Sequence, residues 1–117
     1  MASSGKLAVL RDSVEIAAIR KEGQSFSNRF SVLVTRKNTE NKPCYAVIAS
    51  RKVGGAVKRN RCKRRMRSRV KMLAHRIAKD YNFVLIARPE LLDVDPDTLD
   101  KSIIQLFQRA GLLNSNE

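Results

Sequence analysis

Thirteen Lys and Arg residues crowd into residues 51–79, RKVGGAVKRNRCKRRMRSRVKMLAHRIAK, with no Asp or Glu among them. The remainder of the chain holds 11 basic and 11 acidic residues, so the formal net charge of +13 belongs to this stretch. Guanidinium and ammonium groups at this density neutralise a polyanion and release its counterions. Arg adds a planar fork that grips phosphate oxygens in pairs and stacks on a base. Asn60 is the odd residue in the run: its amide both donates and accepts, which suits a base edge, a 2′-hydroxyl or a helix cap.

Such groups need a rigid element to hold them. Apolar residues recur at Cys62, Met66, Val70, Leu73 and Ile77, in steps of 4, 4, 3 and 4, which is one stripe along a helix. Arg61, Lys63, Arg64, Arg65, Arg67, Arg69, Lys71 and Arg76 fill the rest of its circumference. Gly54 and Gly55 precede it, where the chain turns freely. A Lys/Arg helix face is ordinary when acids compensate it, but none occurs from Asn41 to Lys79.

Other chemistries lack their residues. No Ser/His/Asp or Cys/His arrangement and no metal-ligand spacing is present. Cys44 and Cys62 have neither CxxC spacing nor a His cluster, and Cys62 falls on the apolar stripe, as a small core residue does. His75, the only histidine, belongs to the exposed side of the basic helix. Gly54-Gly55 is too short for a phosphate loop of the Walker type. Asp93, Asp95, Asp97 and Asp100 form either a weak cation site or, more simply, a solvated loop with helix caps. No apolar run reaches the 18 residues of a membrane span, and MASSGKLAVLRDS lacks a signal-peptide core. These features predict a soluble, reduced, cytoplasmic protein of one domain, with no membrane partner.

In chain order, residues 1–10 show no periodicity and are expected to be flexible. Asp12 with Glu15 has capping-box spacing, and a helix is predicted over 13–22, ended by Gly23. A short strand at 25–28 precedes a β-branched strand at 30–36, in which alternation puts Phe30, Val32 and Val34 on one face. KNTENKP is a hairpin connection. Residues 44–50 form a strand buried on both sides, residues 58–79 the basic helix, and residues 83–88 a second buried strand. Asp95 or Asp97 caps a last helix, with Pro96 in its first turn and Gly111 as its stop. The fold class is therefore α+β: a single domain over 11–112, with a small β-sheet, a long basic helix in a β-α-β crossover and flanking N- and C-terminal helices. Residues 113–117 are expected to be a flexible tail.

The run Arg51-Lys52-Val53-Gly54-Gly55-Ala56-Val57-Lys58-Arg59-Asn60-Arg61-Cys62-Lys63-Arg64, with Arg67 a turn later, resembles the signature of the bacterial ribonuclease P protein subunit. The resemblance covers about residues 10–110. It implies a left-handed β-α-β crossover, against a general rule favouring the right hand in about 98% of cases. It implies that Arg51, Lys52, Lys58, Arg59, Asn60, Arg61, Lys63, Arg64 and Arg67 dock on the catalytic RNA. It also implies that a cleft between the first helix and the sheet binds the 5′ leader of precursor tRNA. The RNA and its Mg²⁺ ions then carry the endonuclease chemistry, with no catalytic side chain, metal or other cofactor on the protein. The family commonly places aromatics three and seven positions before the glycine that ends the first helix; here Arg20 and Ile16 stand there. Ile16, Ile19, Arg20, Phe30, Val32 and Val34 are the leader-contact candidates.

Other binding classes fit less well. A general RNA-binding protein, such as a ribosomal component, would use the same helix without preferring a leader. A DNA-binding module would need the short partner helix of a helix-turn-helix or a zipper. A membrane-surface helix would leave the two core-type strands without their cover.

Overall fold

A computed structural model of the chain describes residues 7–114. Its elements are β1 (Ala8–Val9), α1 (Ser13–Glu22), β2 (Gln24–Ser27), β3 (Ser31–Lys37), β4 (Cys44–Ala49), α2 (Ala56–Leu73), β5 (Tyr81–Ala87) and α3 (Pro96–Arg109). Short 3-10 turns lie at Arg51–Val53, Ala74–Arg76 and Pro89–Leu91. The strands form one mixed sheet in the order β1-β4-β5-β3-β2. β4 runs parallel to both β1 and β5, and β3 runs antiparallel to β5 and β2. Two central parallel strands joined through a helix are the β-α-β unit anticipated from the two apolar runs.

Both faces of this sheet are covered, which explains why β4 and β5 are apolar nearly throughout. On one face, Leu33, Tyr45, Val47, Phe83 and Leu85 meet the α2 stripe of Cys62, Met66, Val70 and Leu73. Leu99, Ile103, Leu106 and Phe107 of α3 complete that core. Phe83 is its hinge pin: it stacks on Tyr45 at 5.5 Å and meets Phe107 edge-on at 5.3 Å between ring centroids. On the other face, Ile19 of α1 closes over Val34, Ala46 and Val84.

Local chemistry sets the helix ends. Asp12 Oδ1 accepts from Val14 N at 2.9 Å, capping α1. Glu15 does not return to complete a capping box; it binds Arg36 at 2.6 Å, and Glu22 binds the same guanidinium at 2.9 Å. Two carboxylates thus tie α1 to β3. Gly23 lets the helix end approach that strand, since a Cβ there would lie 2.4 Å from Thr35 O and 2.9 Å from Val34 Cγ1. At the other end of the chain, Asp95 accepts from Thr98 N at 2.9 Å with Pro96 in the first turn of α3.

Three expectations are corrected. The basic helix spans Ala56–Leu73 instead of 58–79, and Ile77 reaches the core from extended backbone in an antiparallel bridge with Leu113. The C-terminal segment competes there for backbone: Ala78 N donates to Leu112 O and Asn114 N to Arg76 O, each at 2.7 Å. Leu113, expected in the tail, is thus bridged to Ile77, and Leu112, the last residue of the expected domain, is fully buried. Likewise, Ala8–Val9 pairs with Cys44–Tyr45 as an edge strand instead of being irregular. The remaining terminal positions, 1–6 and 115–117, lie outside the described residues.

Candidate nucleic-acid interface

The basic face begins at a turn that only glycine makes readily. Gly54 has φ 135°, in a region L side chains avoid, and the stem of Lys58 lies over it, 2.8 Å from where a Cβ would be. This folds Lys58 back toward the exposed Arg51–Lys52 turn. Gly55 occupies the N-cap of α2 without a side-chain cap, and Arg59 N donates to Gly55 O at 3.0 Å. Asn60 is the fifth residue of the helix, exposed, and its side chain bonds nothing among the described residues. Capping is therefore not its role, and its amide stays available to a ligand.

The structure sorts the cations by direction. Arg65 turns to the acidic linker, donating to Leu91 O at 2.8 Å, to Leu92 O at 3.0 Å and to Val94 O. Burial, then the nearby Arg69 and Arg61 charges, lower its pKa. Arg69 binds Asp100 of α3 at 2.8 Å. These two are the only cations of residues 51–79 whose side chains bond protein groups among the described residues.

The outer face carries Asn60, Lys63, Arg64, Arg67 and Lys71, three or four residues apart and so side by side on the helix. Arg61 flanks them on the Arg65 side, near enough for its charge to act on that guanidinium. Arg67 marks the β4 side: burial raises the Tyr45 phenol pKa, and Arg67 partly offsets it. Arg59 is half-buried, with its Nε enclosed and unbonded, so its stem lies along the core edge beneath the exposed row. No acid pairs with Arg51, Lys52, Lys58, Arg59, Arg61, Lys63, Arg64 or Arg67 among the described residues. Three of the four linker Asp residues are engaged: Asp95 caps, Asp100 pairs with Arg69, and Asp97 pairs with Lys101 at 3.2 Å. No cluster of ligating side chains suited to a metal occurs among the described residues.

The opposite sheet face offers a different surface. Val32, Ile86 and Ile48 stand in register across β3, β5 and β4, each half-buried. The next row, Val34, Val84 and Ala46, is sealed by Ile19. An apolar shelf thus opens beside α1, with half-buried Ile16 near it and exposed Arg20 on the helix. Three leader candidates are displaced from it. Ile19 and Val34 are core, 0% and 4% exposed. Phe30 lies outside β3, because Asn28 Oδ1 accepts from Phe30 N and Ser31 N and delays the alternation until Ser31; its ring packs on the α2–α3 side. Ile48 and Ile86 stand in the same half-open row as Val32, a placement that a nearly continuous apolar run conceals and strand register reveals.

One helix whose outer row of cations is unpaired, on a mixed sheet with a half-open apolar shelf behind, defines a small α+β protein of the polyanion-binding kind. The chain belongs to the Ribonuclease P family, whose model matches residues 5–111. It is 37% identical over 105 residues to the ribonuclease P protein component of Symbiobacterium thermophilum, covering 89% of this chain and 91% of that one. Identity to the Clostridium beijerinckii counterpart is 33% over 115 residues, covering 92% of each. Among solved structures, the Staphylococcus aureus RNase P protein superposes with a TM-score of 0.81 at 26% identity, covering 93% of this chain and all of that one. The Thermotoga maritima RNase P protein gives a TM-score of 0.77 at 31% identity, covering 86% and 94%.

Proposed function

We propose that this chain is the protein subunit of a bacterial-type ribonuclease P, which removes 5′ leaders from precursor tRNAs in the cytoplasm. Family membership supports the assignment, and one observation carries the mode of action. The outer face of α2 presents a row of cations that no acid neutralises, around an Asn60 amide with no partner among the described residues. Arg51, Lys52, Lys58, Asn60, Arg61, Lys63, Arg64 and Arg67 dock on the catalytic RNA, with Arg59 contributing its guanidinium end from a half-buried stem. Phosphate contacts supply affinity, and Asn60 contacts a base edge or a 2′-hydroxyl.

The leader of precursor tRNA lies on the other side, against Val32, Ile48 and Ile86 with Ile16 and Arg20 at the margin. Aliphatic groups cover a base there where an aromatic would stack. The RNA and its Mg²⁺ perform the hydrolysis; the protein adds affinity for leader-bearing over mature tRNA. Competition binding tests the docking role. At about 150 mM salt, where charges more than roughly 8 Å apart are screened, bulk RNA should fail to displace catalytic RNA from the protein. Equal competition by bulk RNA would assign the helix to a general RNA binder.

A further inference from the structure

A cavity of about 440 Å³ opens at the far end of α2, below the His75 turn. Eighteen residues of helix, about 27 Å at 1.5 Å per residue, separate it from the Gly54 turn. Leu7 and Pro43 give it apolar walls, Lys42 and Lys79 bring cationic side chains, and His75 adds an imidazole. Glu40 and Asp80, the acids adjacent in sequence, do not line it.

The cavity is held by a single side chain that brings distant segments together. Asn38 Nδ2 donates to Lys42 O at 3.4 Å and to Lys79 O at 3.1 Å, and also to Asn82 Oδ1 at 3.2 Å. Its Oδ1 accepts from Glu40 N at 3.1 Å and from Asn41 N at 2.8 Å. Asn41, another lining residue, is held at φ 57°, the only non-glycine described with a positive φ. Asn adopts this left-handed conformation more readily than other side chains, which suits it to the turn. The backbones of two lysines 37 positions apart are thereby brought to one rim.

We propose that this cavity seats one nucleotide of single-stranded RNA, with its phosphate between Lys42 and Lys79 and its base on the Leu7–Pro43 wall. The volume lies within the range of small-ligand sites, and a few polar groups around an apolar floor are what such sites require. Carbonyls at the C-terminal end of α2 disfavour an anion there, so the lysines draw the phosphate, not the helix. The site would extend the RNA footprint along the full length of the basic segment. It rests on the proposed RNA partner only for the strand that supplies the nucleotide.

The test is a titration of the isotopically labelled full chain with adenosine 5′-monophosphate, adenosine and inorganic phosphate, read by amide chemical shifts. The monophosphate should shift residues around Lys42, His75 and Lys79 saturably, and the other two probes only weakly. Lys42→Ala with Lys79→Ala should abolish these shifts, and should make log K for catalytic RNA fall less steeply with log salt, by about 0.7 for one lost phosphate contact. Shifts confined to residues 51–67 or to the sheet shelf would overturn the proposal, as would a double variant that behaves like the parent. If that variant keeps its full salt slope on catalytic RNA, the cavity proposal falls and the α2 docking face stands. If catalytic RNA binds no better than bulk RNA while the monophosphate fills the cavity, the reverse holds.

Discussion

Arg64 and Arg65 are neighbours in a run of identical charges, yet they are assigned opposite tasks. Arg64 is exposed and unpaired, whereas Arg65 clasps the carbonyls of Leu91, Leu92 and Val94. Arg64→Ala should reduce the slope of log K against log salt for catalytic RNA by about 0.7 to 0.9, the signature of one lost phosphate contact. Arg65→Met should leave that slope unchanged while costing about 1–3 kcal/mol in urea unfolding, from carbonyls stripped of a charged donor. A reduced slope for Arg65→Met would place it on the RNA. The two roles could not be separated in the sequence, because the acceptors of Arg65 lie 26 to 29 residues further on. What was legible is that a cationic helix without acids needs a partner. A third residue, Gly23, is fixed by contact: Gly23→Ala drives a Cβ against Thr35 O, and thermal unfolding should show a loss of about 1–3 kcal/mol.

Among the elements, apolar pattern located α1, β3, β4, β5 and α3: one buried stripe marks each helix, and near-continuous apolar runs mark the doubly covered strands β4 and β5. It overran α2 at Ile77, since Ile77 keeps the helical stripe while its backbone bridges to Leu113, a long-range competitor invisible to local pattern. The hand of the β4-α2-β5 crossover is also not local. A TM-score of 0.81 over 93% of the chain requires the same hand as the Staphylococcus aureus protein, because an opposite crossover would not superpose. The shelf formed by β3, β5 and β4 makes its own prediction. Ile86→Ser should lower affinity for leader-bearing precursor by up to about tenfold, because Ile86 is already half-buried and covering the rest is worth about half of the roughly 1.5–3 kcal/mol of a whole side chain. Affinity for mature tRNA should not change, so equal losses on both substrates would remove the shelf from leader binding. At the α3 cap, the Thr98 N–H bond depresses the Asp95 pKa below its ordinary 3.8. Its contribution to stability is then complete above the unfolded value and lost as pH falls through the folded one. Acid unfolding of Asp95→Asn should accordingly show less pH dependence below about pH 4 than that of the parent.

At the scale of the whole molecule, the sheet acts as a partition. The core of Phe83, Leu85 and the α2 stripe fixes the cationic row on one side, and Ile19 beneath α1 leaves the aliphatic shelf open on the other. On the proposed function, one small domain holds two RNA segments at once, one on each side of the sheet. The most direct test is reconstitution: the protein is added to a bacterial ribonuclease P RNA at low Mg²⁺, and cleavage of a precursor tRNA is followed. Cleavage should appear only with protein present, and should be lost with Arg64→Ala/Arg67→Ala although the variant folds normally by circular dichroism. RNA binding without any rescue of cleavage, or full rescue by that variant, would contradict the account.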